Sequence, residues 1–367
     1  MHGSTSIPVN LYGADHDALA EALGTLDAEP FRAGQLFRAL YVRDQLDPAQ
    51  WSDQPLSLRT RVAERFRIER PLVESFSTAA DGTKKFLLSL PGGGRVESVA
   101  IPTGDRMTFC ISSQVGCAFG CRFCMTARMG LVRHLDAGEI VGQVAAMLRE
   151  TAFGRGRYNI VFMGMGEPLH NLDAVLLALR LLFDGDGFGV GPRRVTVSTV
   201  GLANGILRLA GEPAVPRLAV SLVAADQSLR ETLMPVARSV DLDSLADAVR
   251  RFGAGRRDRP TFEVVMLAGV NDDPGLAVPL ARLARRAAAK VNLIEFNPTP
   301  ELPFRPSPEP RLQHFLRVLS DAGVVGTVRR SRGRDVDAAC GQLAFTHRAP
   351  AQATPNPADP RDGTERA

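Results

Sequence analysis

Apolar positions recur at helical spacing through residues 19–70, with Leu36, Phe37, Leu40 and Tyr41 in one stripe and Leu56, Leu58, Val62 and Phe66 in another. Nothing in that stretch alternates as a strand would, so residues 1–75 are expected to form a small helical domain. The pattern then changes. Phe86, Leu88 and Leu90 alternate ahead of a Pro91-Gly92-Gly93-Gly94 turn, and an apolar run from Val96 follows it, which predicts a hairpin over 76–102. In its second arm Glu97 shares a face with Val99 and Ile101, where a carboxylate needs either solvent or a function. Beyond residue 105 short apolar runs alternate with amphipathic ones. Strands are predicted near 107–111 and at 159–163, 194–200, 217–222, 261–267, 291–296 and 324–330. Helical stripes fall between them, among them Ile140, Val144, Met147 and Leu148, capped by Asp136 with Glu139 three residues on, and Leu172, Val175, Leu176 and Leu179. About six strand-helix units predict an incomplete barrel around a parallel sheet over 103–345, with its chemistry on loops leaving the carboxyl ends of the strands. The last twenty residues hold four prolines and little to bury, so 346–367 is expected to be a disordered tail.

Composition adds little to this until the cysteines are counted. No basic segment followed by an apolar core opens the chain, and no stretch keeps eighteen apolar residues free of charge, so a cytoplasmic protein without a membrane span is expected. There are five cysteines, four within 110–124 and one at Cys340, a distribution that suits metal and redox chemistry better than cross-linking. The net charge of +4 permits a polyanionic partner without requiring one. Residues 1–75 carry eight basic against eleven acidic side chains, and positive charge gathers in two runs. Arg59, Arg61, Arg65, Arg67 and Arg70 read as a solvated face; Arg329, Arg330, Arg332 and Arg334 suit a partner as well as solvent.

Cys117-Ala-Phe-Gly-Cys121-Arg-Phe-Cys124 follows the first parallel strand and puts three thiols on one loop. Soft thiolates select zinc or iron-sulfur, with a fourth ligand from Cys110, Cys340 or outside the protein. A closed zinc site wants four ligands, and no second CxxC stands beside this one. The CxxxCxxC spacing, with an aromatic before the third cysteine, resembles the radical SAM superfamily, in which three cysteines bind a 4Fe-4S cluster and the fourth iron is open to S-adenosylmethionine (SAM). Gly164-Met165-Gly166-Glu167-Pro168 follows the strand 159–163; its glycines allow close backbone approach and Glu167 offers a carboxylate to a cationic amine. In the superfamily a motif of this kind holds the SAM amino group. Ser198, Ser221 and Asn297 end or follow strands, which suits polar groups reaching a common ligand and equally suits local capping.

The long matches are narrower still. CISSQVGCAFGCRFCMTARMG, GMGEPL, VTVSTVG, NLIEFNP and RGRDVDAACGQLA stand in one order, preceded by FRAGQLFRALY and DGTKKFLLSLPGGGRVESVAIP. From about Phe31 to Ala344 the chain is similar to the RlmN/Cfr family of adenosine methyltransferases. The resemblance implies an α/β fold, a partial (β/α)6 radical SAM barrel with a small amino-terminal helical domain for RNA binding and a linking β-hairpin. It implies that Cys117, Cys121 and Cys124 hold the cluster, and that Gly166, Glu167, Ser198, Ser221, Leu222, Val223 and Asn297 contact SAM. It makes Cys340 the methyl carrier, Cys110 its disulfide partner and Glu97 the base. Two departures stand out: the family usually has Ser-Leu-His where this chain has Ser221-Leu222-Val223, and Met125-Thr126-Ala127-Arg128 replaces a commoner Ser/Ala-Thr-Gly run.

Such a mechanism explains the residue list. Carbons 2 and 8 of adenine are electron-poor and cannot attack a sulfonium methyl, so the methyl goes first to Cys340 and a second SAM starts the radical step that joins it to the ring. Release then needs a base and a second thiolate. The expected activity is methylation of carbon 2 of an adenosine in 23S ribosomal RNA, with transfer RNA a further substrate, a low-potential donor such as flavodoxin, and a monomeric enzyme. The alternatives are carbon-8 methylation of the antibiotic-resistance type and a non-catalytic iron-sulfur RNA-binding protein.

Overall fold

The computed structural model describes residues 8–154 and 158–344. The tail expected at 346–367 lies outside the described residues. Three helices come first, α1 (His16–Gly24), α2 (Arg32–Tyr41) and α3 (Leu56–Arg65). Asp15 caps α1 by accepting from the Ala18 amide at 3.1 Å. Their apolar stripes meet: Leu19, Leu36, Phe37, Leu40, Leu58 and Val62 are buried together with Trp51. The first arginine run is a solvated face only in part: Arg61 and Arg65 are exposed, while Arg70 is buried. Arg59 and Arg61 donate to the carbonyls of Ala49 and Leu26 at 2.8 and 2.7 Å, and buried Arg70 meets Asp44 at 2.9 Å, so the guanidiniums satisfy turn carbonyls that have no helical partner.

The chain then enters one ten-stranded sheet. Strands β1 (Leu72–Thr78), β2 (Lys84–Ser89), β3 (Arg95–Thr103) and β4 (Arg106–Cys110) run antiparallel. Next come a two-stranded sheet of β5 (Gln114–Gly116) and β6 (Leu131–His134), the short helix α4 (Met125–Arg128) between them, and α5 (Ala137–Thr151). From there strands and helices alternate: β7 (Tyr158–Phe162), α6 (Leu172–Phe183), β8 (Val195–Thr199), α7 (Ala203–Ala210), β9 (Arg217–Ser221), α8 (Gln227–Leu233), α9 (Leu242–Gly253), β10 (Thr261–Met266), α10 (Ala277–Arg286), β11 (Lys290–Glu295), α11 (Glu309–Asp321) and β12 (Gly326–Arg329). The large sheet runs in chain order β1-β2-β3-β4-β7-β8-β9-β10-β11-β12, and from β4 onward every pair is parallel. This is an α/β fold with a large, mostly parallel sheet and helical crossovers.

The seven parallel strands fall where apolar runs predict them. The capping box on α5 is present as read, with the Glu139 amide donating to Asp136 at 2.7 Å and the Asp136 amide to Glu139 at 3.1 Å. The hairpin is a different matter. Its arms β2 and β3 pair with each other, β2 also with β1, which begins before the expected boundary at residue 75, and β3 also with β4, so the hairpin is part of the large sheet. β1 is an edge strand exposed along most of its length, and it lacks the apolar alternation that would have marked it. Among the described residues no helix is long and apolar enough to cross a membrane.

Candidate active site

A single loop carries the three clustered cysteines, and it is pinned at both ends. β5 enters it through Gly116 at φ 76°, so close to the opposite strand that a β-carbon there would meet the Gly130 oxygen at 1.8 Å. That oxygen accepts from the Cys117 amide at 2.9 Å. At the other end the Met125 amide of α4 donates to the Gly341 carbonyl at 2.8 Å. Cys117, Cys121 and Cys124 all line one cavity, whose walls come from the inner face and carboxyl ends of the parallel strands. Burial pushes each thiol up, Cys117 to about 11. Metal ligation requires thiolates, so a bound cation would supply the compensation that solvent does not.

The turn after β7 faces them. Gly166, at φ 97°, packs so tightly that a β-carbon would stand 2.5 Å from Cβ of Gln114. The Gln114 side-chain oxygen in turn accepts from the Glu167 amide at 2.8 Å. Glu167 is buried, and its two carboxylate oxygens accept from the amides of Leu169 and Val200 at 3.0 and 2.8 Å. Burial pushes its carboxyl up to about 7, against the pull of Thr199 and these amides.

Cys340 lies on the same cavity wall, on a loop stitched to the cysteine loop. Thr126 Oγ1 donates to the Leu343 carbonyl at 2.5 Å, Asn297 Nδ2 to the Cys340 carbonyl at 3.3 Å, and Gln342 to the Pro298 carbonyl at 3.3 Å. Asn297 Oδ1 is buried with no partner among the described residues, an acceptor left over for a ligand. Cys110, at the end of β4, is buried beside Cys340, and burial pushes its thiol up to about 12 while Arg329 pulls it down. Arg329 lies 3.9 Å from Glu263 and contacts Met163 Sδ at 3.3 Å; Cys340 above all, then Glu263 and Cys110, hold its charge against burial. All five cysteines are free, so the Cys110–Cys340 disulfide that the resemblance implies is not formed in this structure.

Glu97, on β3, is buried, and its Oε1 stands 3.3 Å from Lys85 Nζ. Burial raises its carboxyl and Lys85 counters the rise. Ser112 Oγ ties it to the Glu167 turn, donating to the Glu97 carbonyl at 2.7 Å and accepting from the Met165 amide at 2.8 Å.

Of the residues singled out in the sequence, Cys117, Cys121, Cys124, Gly166, Glu167, Ser198, Ser221, Val223 and Cys340 line the cavity. Cys110, Glu97 and Asn297 are buried but are not among its lining residues. Leu222 points into the core, and its amide donates to the Glu263 carbonyl at 2.9 Å. Val223 adopts φ 66°, a strained conformation for a β-branched residue, held by Asn271 Nδ2 donating to its carbonyl at 2.8 Å. Glu263 and Glu295 also line the cavity without having been singled out in the sequence, and Arg329, named there only as part of a basic run, is drawn in beside Cys340. Glu263 had a signal, since a lone carboxylate inside the apolar run Thr261–Met266 raises the same question as Glu97.

The site can be compared with known proteins. Residues 111–278 match the Radical SAM superfamily. The "Dual-specificity RNA methyltransferase RlmN" of Alkalilimnicola ehrlichii is 43% identical over 91% of this chain and 93% of its own length. The protein of the same name from Syntrophobacter fumaroxidans is 44% identical over 89% and 95%. A crystal structure of a radical SAM methyltransferase from Sphaerobacter thermophilus superposes with a TM-score of 0.86 at 42% identity, covering 92% of this chain and 99% of that one. With these relatives aligned over nearly its whole length, the chain belongs to the RlmN family of radical SAM RNA methyltransferases.

Proposed function

We propose that this enzyme methylates carbon 2 of an adenosine in 23S ribosomal RNA, and in transfer RNA as well, through an S-methylcysteine on Cys340 and with two SAM per methyl. One observation carries the reading: a fourth cysteine, outside the CxxxCxxC spacing, stands on the wall of the cavity that the other three line. Cys117, Cys121 and Cys124 would hold a 4Fe-4S cluster, which leaves Cys340 uncommitted to metal. The donor set suits that group, with three thiols and no fourth thiol in their loop, buried Glu167 and a buried unpartnered oxygen on Asn297. When bound, the cluster supplies the low-potential electron that cleaves SAM, drawn from a donor such as flavodoxin. Glu167 offers its carboxylate to the SAM ammonium, and Gly166, Ser198, Ser221, Val223 and Asn297 shape the remaining contacts.

The chain's own groups do the rest. The Cys340 thiolate accepts a methyl from the first SAM. Once its carbon is joined to the ring, Glu97 takes the ring proton, and the unpaired electron left on the adduct would return to the bound cluster. The Cys110 thiolate then attacks the Cys340 sulfur; the bond from that sulfur to the transferred carbon breaks, its electron pair leaves with the carbon, which takes up a proton to become the methyl group, and a disulfide forms. The same reading makes residues 1–75 an RNA-binding accessory domain, the sheet from β4 onward a partial barrel, and the enzyme a cytoplasmic monomer. The relatives' description as dual-specificity enzymes supports two classes of RNA.

Cys340→Ala tests the carrier. The variant should bind iron as the wild type does and form no methyladenosine, scored by mass spectrometry of digested ribosomal and transfer RNA with 2-methyl and 8-methyl standards. Methylation retained by the variant would refute the carrier role, and an 8-methyl product from the wild type would refute the assignment to carbon 2.

A further inference from the structure

Lys85 belongs to none of the motifs that bind metal or SAM, yet its side chain is half-buried against a buried carboxylate. It stands on β2 opposite Val99, two pairs along from Leu87 opposite Glu97, so Lys85 and Glu97 share a face of the sheet. Lys85 Nζ lies 3.3 Å from Glu97 Oε1 and donates to the Asp337 carbonyl at 3.4 Å. The lysine and glutamate side chains are 18% and 8% exposed. A pair so placed is costly to break, because removing one partner strands the other. Glu97 Oε2 has no side-chain partner among the described residues, and of the backbone only the Ala344 amide bears on the carboxylate. Asp337 stands three residues ahead of Cys340 on the loop that brings that thiol to the cavity.

We propose that Lys85 is a positioning residue for Glu97: it pins one carboxylate oxygen, leaves the other free to take a proton, and ties the base to the loop of the methyl carrier. The proposal rests on the reading of Glu97 as the base. The charged groups that bear on Glu97 are Lys85 from β2 and Asp337 from the carboxyl-terminal loop, and they act in opposite directions. Lys85 therefore keeps a carboxylate in a place where burial favours the acid. Taking up the ring proton cancels the charge that Lys85 was pairing, while its bond to Asp337 stays in place.

The test uses the cluster-loaded full-length enzyme in single turnover with SAM and a transcript of the RNA, across a pH series, for wild type, K85M, K85Q, K85R and E97Q. Loss of an opposite charge at this distance moves a carboxyl by about one unit or more. The acid limb of methylated-RNA release should move up by about that amount in K85M and K85Q, with release at least about tenfold slower below the limb, and K85R should restore both. An infrared titration without RNA, taken as the difference from E97Q, should show the Glu97 carboxyl titrating higher in K85M and K85Q. An unshifted limb and an unshifted infrared titration, in an enzyme that E97Q inactivates, overturn the role of Lys85. Wild-type methylation by E97Q overturns the base assignment itself, and the Lys85 proposal with it.

Discussion

Replacing Gly116 by Ala should loosen the cysteine loop at its hinge. The new β-carbon would stand 1.8 Å from the Gly130 oxygen, and β-carbons do not approach within 3.0 Å, so the two strands must part by at least about 1.2 Å. That movement pulls the acceptor from the Cys117 amide, a hydrogen bond of 2.9 Å, at a cost of about 1 kcal/mol. Holding a side-chain-bearing residue at φ 76° costs roughly 1–2 kcal/mol more. Together these amount to about 2–3 kcal/mol, or a fall in Tm on the order of 3–4 °C for a chain of this size. Because the strain sits one residue before Cys117, iron bound per chain after anaerobic reconstitution should fall with it. Gly120→Ala separates the two causes: Gly120 also has a positive φ, 63°, but a β-carbon there would find only Pro235 Cγ at 3.7 Å, so it should lose no more than the backbone share and keep its iron. A Gly116→Ala protein with wild-type Tm and a full complement of iron would refute the account of how this loop is held.

Three other outcomes are expected. Cys110→Ala should leave iron binding and methylation of Cys340 intact and stall at release, giving a protein-RNA conjugate that survives denaturation and that ribonuclease trims to a modified peptide containing Cys340; wild-type turnover with no conjugate excludes the two-cysteine release. Glu167 titrates near 7 in the fold against 4.5 ordinarily, so the folded state binds the extra proton and stability falls as pH rises from 4.5 through 7, by roughly 3 kcal/mol for this one group. The difference in unfolding free energy between wild type and Glu167→Gln isolates that slope, and a difference flat across this window would show the carboxyl to be unperturbed. Anaerobically reconstituted protein should hold one 4Fe-4S cluster, read by iron and sulfide analysis, whereas stoichiometric zinc without iron would exclude it.

Much of this arrangement was written in short-range pattern. Strands such as Tyr158–Phe162 and Val195–Thr199 are buried on alternate positions and half-buried on the others, so their apolar character survives in the sequence, and the polar residues at their ends stand out against it. The capping of α5 was legible because both partners lie within one turn. What escaped was set by distance along the chain. Arg329 read as one member of an exposed basic run, and only the fold brings Cys110, Glu263 and Cys340 around it. Arg70 likewise reads as one of a solvated run, and only the fold buries it against Asp44, 26 residues away. Lys85 gave no signal at all, since its partners stand twelve and 252 residues away.

The seam between the Cys340 loop and α4 also has a meaning in time. Synthesis runs from Cys124 to Cys340 over 216 residues, about ten to forty seconds at common rates of elongation. Throughout that interval the Met125 amide and the Thr126 hydroxyl have no Gly341 or Leu343 carbonyl to meet, and the cavity lacks one side. A nascent chain on the ribosome thus presents its three-thiol loop from an unfinished pocket, and the segment that finally shuts the pocket also delivers the methyl carrier. Closure and competence arrive in the same step.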